Sequence, residues 1–201
     1  MRIINENIVQ TYDDFILLCL YPEILNQLYK IDFVYRKNTQ SIKNFKHYYD
    51  HVMKTINIEL NENNFKDVNL KSIYIQHFDM NFKNIHFFRN YIFTRYDILD
   101  KQDYPKVILM ASNDTNIENV KIDILKKYNI MIDIVMFEND KIEKQIEYFY
   151  NASIILFLNH INFSNIIFCK TGTFIYDFED FKINNDILNV INILNLKYLK
   201  L

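Results

Sequence analysis

The stretch "KVILMASNDTNIENVKIDILKKYNIMIDIVMF" (Lys106–Phe137) decides the fold. It opens on a continuous apolar run, Lys106–Ala111, too short for a helix and without polar alternation, which is how a strand buried on both faces reads. The segment Thr115–Asn129 follows, with Ile117, Val120, Ile124 and Tyr128 recurring at helical spacing. Thr115 and Glu118 stand three apart as a capping box, which predicts the helix start. A second apolar run, Ile130–Phe137, closes the unit.

The same alternation continues. Asp140–Asn151 reads as a helix with Ile142, Ile146 and Phe149 inward, and Asp140 and Glu143 repeat the cap pattern. "SIILFL" (Ser153–Leu158) is a third strand, a short helix is expected near Asn162–Cys169, and "TFIYDF" (Thr173–Phe178) is a fourth strand. A last helix over about Asn185–Leu199 places Ile187, Val190, Ile191, Leu194 and Tyr198 on its inner face. Strands alternating with helices imply an α/β fold, with a Rossmann-like parallel sheet covered on both sides in the C-terminal half. Ligands of such sheets sit beyond the carboxyl ends of the strands. Those ends are Ser112–Thr115, Glu138–Asp140, Asn159–Ser164 and Asp177–Asp180.

The first half is less regular. A helix is expected around Ser41–Ile58, carrying Ile42, Phe45, Tyr49, Val52 and Ile56, then a strand at Ser72–Gln76 and a helix around Asn81–Leu99. Residues 26–38 read as either strand or helix, and Pro22 fits the first turn of a short helix. Leu99–Lys106 is the expected hinge. The domains expected are therefore a small α/β lobe at 1–100 and a Rossmann-like lobe at 101–201.

Half of the residues are hydrophobic and 16% aromatic, enough to bury a substantial core and to exclude a disordered chain. The bias towards Ile, Asn, Lys, Tyr and Phe matches AT-rich coding, so abundant Asn and Lys carry no functional signal by themselves. A net charge of −2 gives no basic footprint for nucleic acid. The apolar segment Phe15–Leu20 is too short to span a bilayer and follows Asp13 and Asp14, so neither a membrane span nor a signal peptide is expected, and a cytoplasmic location is. Cys19 and Cys169 lack metal or redox spacing and read as buried apolar fillers.

With Gly172 as the only glycine, neither a dinucleotide fingerprint nor a P-loop exists. "CKTGT" (Cys169–Thr173) reads as a turn before a strand. Phosphate contacts would have to come from helix N-terminal amides and from Asn, Ser and Thr side chains. "NHINFSN" (Asn159–Asn165) follows the third strand and is the leading candidate ligand loop. His160 reads either as a structural hydrogen-bonding residue or as a catalyst, and Asn162, Ser164 and Asn165 either as caps of the short helix or as ligand contacts. Asp177 and Glu179 share a strand face, as solvated edge charges or as an acceptor for a ribose or sugar hydroxyl. His47, His51 and His86 have no placed carboxylate partner, so no metal is expected.

The segment Phe137–Phe178 resembles the C-terminal part of glycosyltransferase family 61. Glu138 matches that family's acidic position after a strand, Gln145 lies where E-Q is expected, and Ala152 opens the next strand. Ser164–Asn165 stands for T-N, Phe168 matches the following Phe, and Gly172–Thr173 matches G-T, with Asp177 for the family's Glu. Asn159 stands where the family has His, His160 where it has Gly, and Ser112 or Asn113 where it has Arg. The resemblance implies two facing Rossmann-like lobes in a GT-B-like arrangement, with a nucleotide-sugar donor, a UDP-sugar in the first instance, in the C-terminal lobe. Transfer to a hydroxyl of a glycan or protein acceptor would invert the anomeric centre without a metal or other cofactor. The donor-binding residues implied are Ser112, Asn113, Thr115, Glu138, Asn159, Asn162, Ser164, Asn165 and Asp177, with His160 as the catalytic or leaving-group contact. One alternative is a degenerate relative that binds or assembles without catalysis. Another is a fucosyltransferase-like enzyme, in which "N-S-T-F-S" follows the last apolar strand. "NHINFS" is compatible with that pattern, but no H-x-R-R-G-D stretch precedes it.

Overall fold

In the computed structural model the strand read first is the one around which the rest is arranged. Strand β3 (Val107–Ala111) has a parallel partner on each side, β4 (Ile134–Phe137) and β5 (Ile154–Phe157). Beyond β5 lie β6 (Phe174–Asp177) and then β7 (Lys197–Lys200), giving a five-stranded all-parallel sheet of order β4-β3-β5-β6-β7. A separate parallel pair joins β1 (Arg2–Asn5) to β2 (Phe33–Arg36). The structure describes residues 2–5, 21, 24–25, 33–36, 80–98, 107–112, 115–137, 140–159, 162–178, 183 and 185–201. Pro22, the helix expected at Ser41–Ile58, the strand at Ser72–Gln76, the hinge Leu99–Lys106, and Cys19, His47, His51 and Glu179 lie outside the described residues.

Both faces of the central strands are apolar because both are covered. On one face Ile108, Met110, Met136, Ile155, Phe157 and Ile175 join one core with α3 (Ile142–Asn151), α4 (Asn185–Ile193) and the 3₁₀ helix Phe163–Phe168. On the other, Leu109 and Leu156 meet Val120, Ile124 and Tyr128 of α2 (Ile117–Tyr128). Helix α1 (Phe82–Arg95) begins at Asn81, whose side chain caps the Asn84 amide at 3.0 Å. Its Ile85, Phe88 and Ile92 enter the first core, together with Tyr21, Ile24, Leu25 and Met80. Phe88 lies between Tyr21 and Phe168, with ring centroids 5.3 and 6.0 Å away. Thus α1 and residues from near the N-terminus share one core with the C-terminal sheet.

Several local expectations shift. Asn116, not Thr115, caps α2, and its side chain accepts from the Asn119 amide. Lys141 occupies the cap position of α3 without a side-chain bond. Asp140 closes the preceding turn instead, accepting from the Phe137 amide at 3.0 Å. The last predicted helix ends at Ile193. Asn195 turns left-handed at φ 50°, and Lys197–Lys200 pairs with β6 as a fifth strand. Tyr198 is therefore a strand residue that happens to lie four positions after Leu194.

In a chain with one glycine, asparagine does much of the left-handed work. Asn129, Asn162 and Asn195 all have positive φ, the first closing α2 where a glycine is usual. Gly172 itself sits at φ 85° in the turn before β6. A side chain there would meet no atom within 4 Å, so backbone conformation alone favours glycine.

Candidate functional site at the carboxyl edge of the sheet

After β3 the chain goes to β4 on one side, and β5 then returns to the other. The connections therefore diverge at the β3–β5 pair, and the crevice beyond the carboxyl ends of such a pair is where open α/β sheets bind ligands. Pairing continues to the rim, with Leu158 N donating to Met110 O at 3.1 Å. This brings Asn159 beside Ser112. Ser112 and Thr115 share a hydroxyl–hydroxyl bond of 2.9 Å, and the Thr115 amide donates to Ser112 O. The tight turn so formed leads into α2, whose first amides carry a partial positive charge. Ser112, Thr115 and Asn159 are all half-buried. Asn113, Glu138 and His160 lie outside the described residues.

The remaining polar residues of the candidate loop turn inward. Asn162, at φ 55°, precedes the 3₁₀ helix, and Asn162, Ser164 and Asn165 are all buried. Asn162 and Asn165 donate through Nδ2 to the same oxygen, Gln145 Oε1, at 3.0 and 2.6 Å. Gln145 Nε2 donates in turn to Asp140 O at 2.6 Å. A fully buried carboxamide on α3 thus links the turn after β4 to the loop after β5.

Asp177 closes β6 and is also internal, at 1% exposure, not the solvated edge charge that its position on a strand end allowed. It stands opposite Phe157 on β5 and Lys200 on β7. Tyr198 donates its phenol proton to Asp177 Oδ2 at 2.5 Å. Gly172 and Thr173, matched to the family's G-T, lie at the amino edge of the sheet, away from the crevice. There Thr173 Oγ1 donates within the turn and across it, to Lys170 O and Ala152 O.

Three side chains with clear jobs were not among the site residues expected from the sequence: Gln145, Tyr198 and Arg89. Arg89 is buried on α1 and donates through one guanidinium nitrogen to Ile167 O and Cys169 O, at 2.8 and 2.6 Å. Those carbonyls end the 3₁₀ helix, so a cation there offsets exposed negative ends of peptide dipoles. Burial pulls the Arg89 guanidinium below its ordinary range, partly opposed by Cys169 and Tyr150. Burial likewise pushes the Cys169 thiol well up, against the smaller effect of Arg89, and leaves it an inert thiol. His86 is lowered by burial and then by Arg89. A sequence signal existed for two of the three. Gln145 interrupts the apolar stripe Ile142–Ile146–Phe149, and Arg89 interrupts Ile85–Phe88–Ile92.

Among the described residues, no group of three or more His, Cys, Asp or Glu side chains gathers as a metal site would require. None of their helices is long and apolar enough to cross a membrane. No protein-family model matches the chain, and no curated protein matches it in sequence.

Proposed function

We propose that the chain binds a nucleotide sugar at the β3–β5 crevice and is the donor-binding unit of a metal-independent, inverting glycosyltransferase. The observation that carries this reading is the convergence of Ser112, Thr115 and Asn159 with the start of α2 at the switch point of a parallel sheet. The α2 amides and the two hydroxyls would take the diphosphate, in place of the glycine-rich loop the chain lacks. Asn159 and His160 would reach the sugar and the leaving group from the β5 side, with Asn113 and Glu138 on the flanking connections. Asp177 would act from beneath the rim. The acceptor side of a two-lobed, GT-B-like arrangement would come from residues that precede α1, because α1 itself packs into the core of the C-terminal sheet. A base would deprotonate the acceptor hydroxyl, whose oxygen attacks the anomeric carbon while the nucleoside diphosphate departs.

Calorimetric titration with nucleoside diphosphates and their sugars, starting with uridine diphosphate sugars, tests the reading. Micromolar to sub-millimolar binding is the expected result, and no heat from any of them at millimolar concentration sinks it. A specific observation favours a second reading. Two of the expected donor contacts, Asn162 and Asn165, are buried and donate to Gln145, which suits a scaffold more than a reacting site. The chain would then bind the nucleotide sugar without turning it over. Donor hydrolysis or transfer above background separates the two.

A further inference from the structure

We infer that Gln145 is a positioning residue for the carboxyl edge, a single side chain that holds the turn after β4 and the loop after β5 in one arrangement. The identity of the ligand rests on the nucleotide-sugar reading, whereas the coupling of the two segments rests on geometry alone.

That geometry is specific. Oε1 accepts from Asn162 and from Asn165, and Nε2 donates to the Asp140 carbonyl. Asp140 is itself tied to Phe137 by two bonds, its amide donating to the Phe137 carbonyl and its carboxylate accepting from the Phe137 amide. Moving either segment therefore breaks a Gln145 hydrogen bond, buried on the side of Asn162 and Asn165 and part-buried at Asp140, and burial makes such a loss costly. The Asn162 amide bond also stabilises the left-handed residue that turns the chain from the Asn159 rim into the 3₁₀ helix. The orientation of the rim thus depends on a residue in the first turn of a helix before β5.

The chemistry of the carboxamide supplies the test. In Gln145→Glu (Q145E) a protonated carboxylic acid reproduces every one of these bonds, its carbonyl accepting twice and its O–H donating to Asp140 O. The ionised form turns a lone pair on the Asp140 carbonyl instead. Desolvation raises the pKa of a buried carboxyl group, which brings the switch into a workable range. The charged side chains within about one helical turn of it are Asp140, Lys141, Glu143, Lys144 and the buried Glu147, with Asp140 and Lys144 paired at 3.6 Å, while the 3₁₀ helix contributes only neutral side chains.

The experiment measures amide hydrogen-exchange protection of the full chain at pH 5 and pH 8, with calorimetric titration of uridine diphosphate glucose at both. At pH 5, Q145E should match the wild type within about twofold in both readouts. At pH 8, protection should fall together by at least tenfold at 137–140 and 162–165, with β3 and β5 unaffected, and affinity should fall about tenfold. Gln145→Leu should lose both at either pH, and if it does not fold, Q145E carries the test. Response of one segment only, equal loss at both pH values, or lost protection with unchanged affinity would each overturn the inference. A wild type that binds no nucleotide removes the functional reading, and joint loss and recovery of protection then decides the coupling by itself.

Discussion

The phenol of Tyr198 donates a 2.5 Å hydrogen bond to the buried carboxylate of Asp177, across the last pair of strands in the sheet. The bond adds a side-chain tie at the carboxyl edge to the β6–β7 ladder and to the packing of Tyr198 against Phe163. Tyr198→Phe removes the donor and leaves a buried acceptor. The expected cost is about 1–3 kcal/mol, read from the urea midpoint at constant m-value. Asp177→Asn keeps an acceptor and should cost less.

Arg89 ties α1 to the sheet layer through Ile167 O and Cys169 O and lies over the Phe93 ring at 5.2 Å. Arg89→Met preserves bulk but orphans two carbonyls. It should lower stability by about 2–4 kcal/mol, measured by denaturant unfolding. Arg89→Lys keeps the charge but loses the planar fork, and should fall between.

Cys169 gives the chain an alkaline weakness. Its thiol is held protonated by burial in the folded state and ionises near its ordinary value of 9.0 once unfolded. A folded pKa raised above the unfolded one means stability fully present below about pH 9 and lost as pH rises beyond it. The loss is about 1.4 kcal/mol per pH unit from this group. Unfolding of wild type and Cys169→Ala between pH 8 and 10.5 checks it. The substitution should flatten the alkaline decline, whatever constant offset the small cavity adds.

Asn162 combines a left-handed backbone with a buried bond to Gln145. Asn162→Gly keeps the backbone and loses the bond, at about 1 kcal/mol. Asn162→Ala loses both and should cost roughly 1–2 kcal/mol more. Thermal melts of the pair separate backbone strain from hydrogen bonding, and equal melting temperatures would deny the conformational component.

At the crevice, Ser112→Ala and Asn159→Ala should leave stability within about 0.5 kcal/mol, since both side chains are only half-buried at a rim. Each should weaken nucleotide-sugar affinity by about 5–10-fold, one hydrogen bond's worth, in the same calorimetric titration.

Much of the sheet was legible because it is coded locally. Val107–Ala111, Ile134–Phe137 and Ile154–Phe157 are short runs of apolar residues between helical stripes, and each became a strand of one parallel sheet, the first and third largely buried and the second half-buried at its edge. The short helix after "NHI" was legible too, although it is 3₁₀ in form. What misled was periodicity continued past its end. Tyr198 fits the helical stripe of Ile187, Val190, Ile191 and Leu194, yet Asn195 stops the helix and the free edge of β6 claims the following residues.

The site divides in the same way. The amino-acid order alone determined which residues follow each strand, and hence that Ser112, Thr115 and Asn159 belong to the carboxyl edge. It also determined that no glycine-rich phosphate loop is present. Only the tertiary structure decided which polar residues of that edge face outward. Asn162, Asn165 and Asp177 found partners in Gln145 and Tyr198, which lie in other elements of the chain. A buried polar side chain must be hydrogen-bonded, and its partner is chosen by packing between elements, which local spacing does not encode.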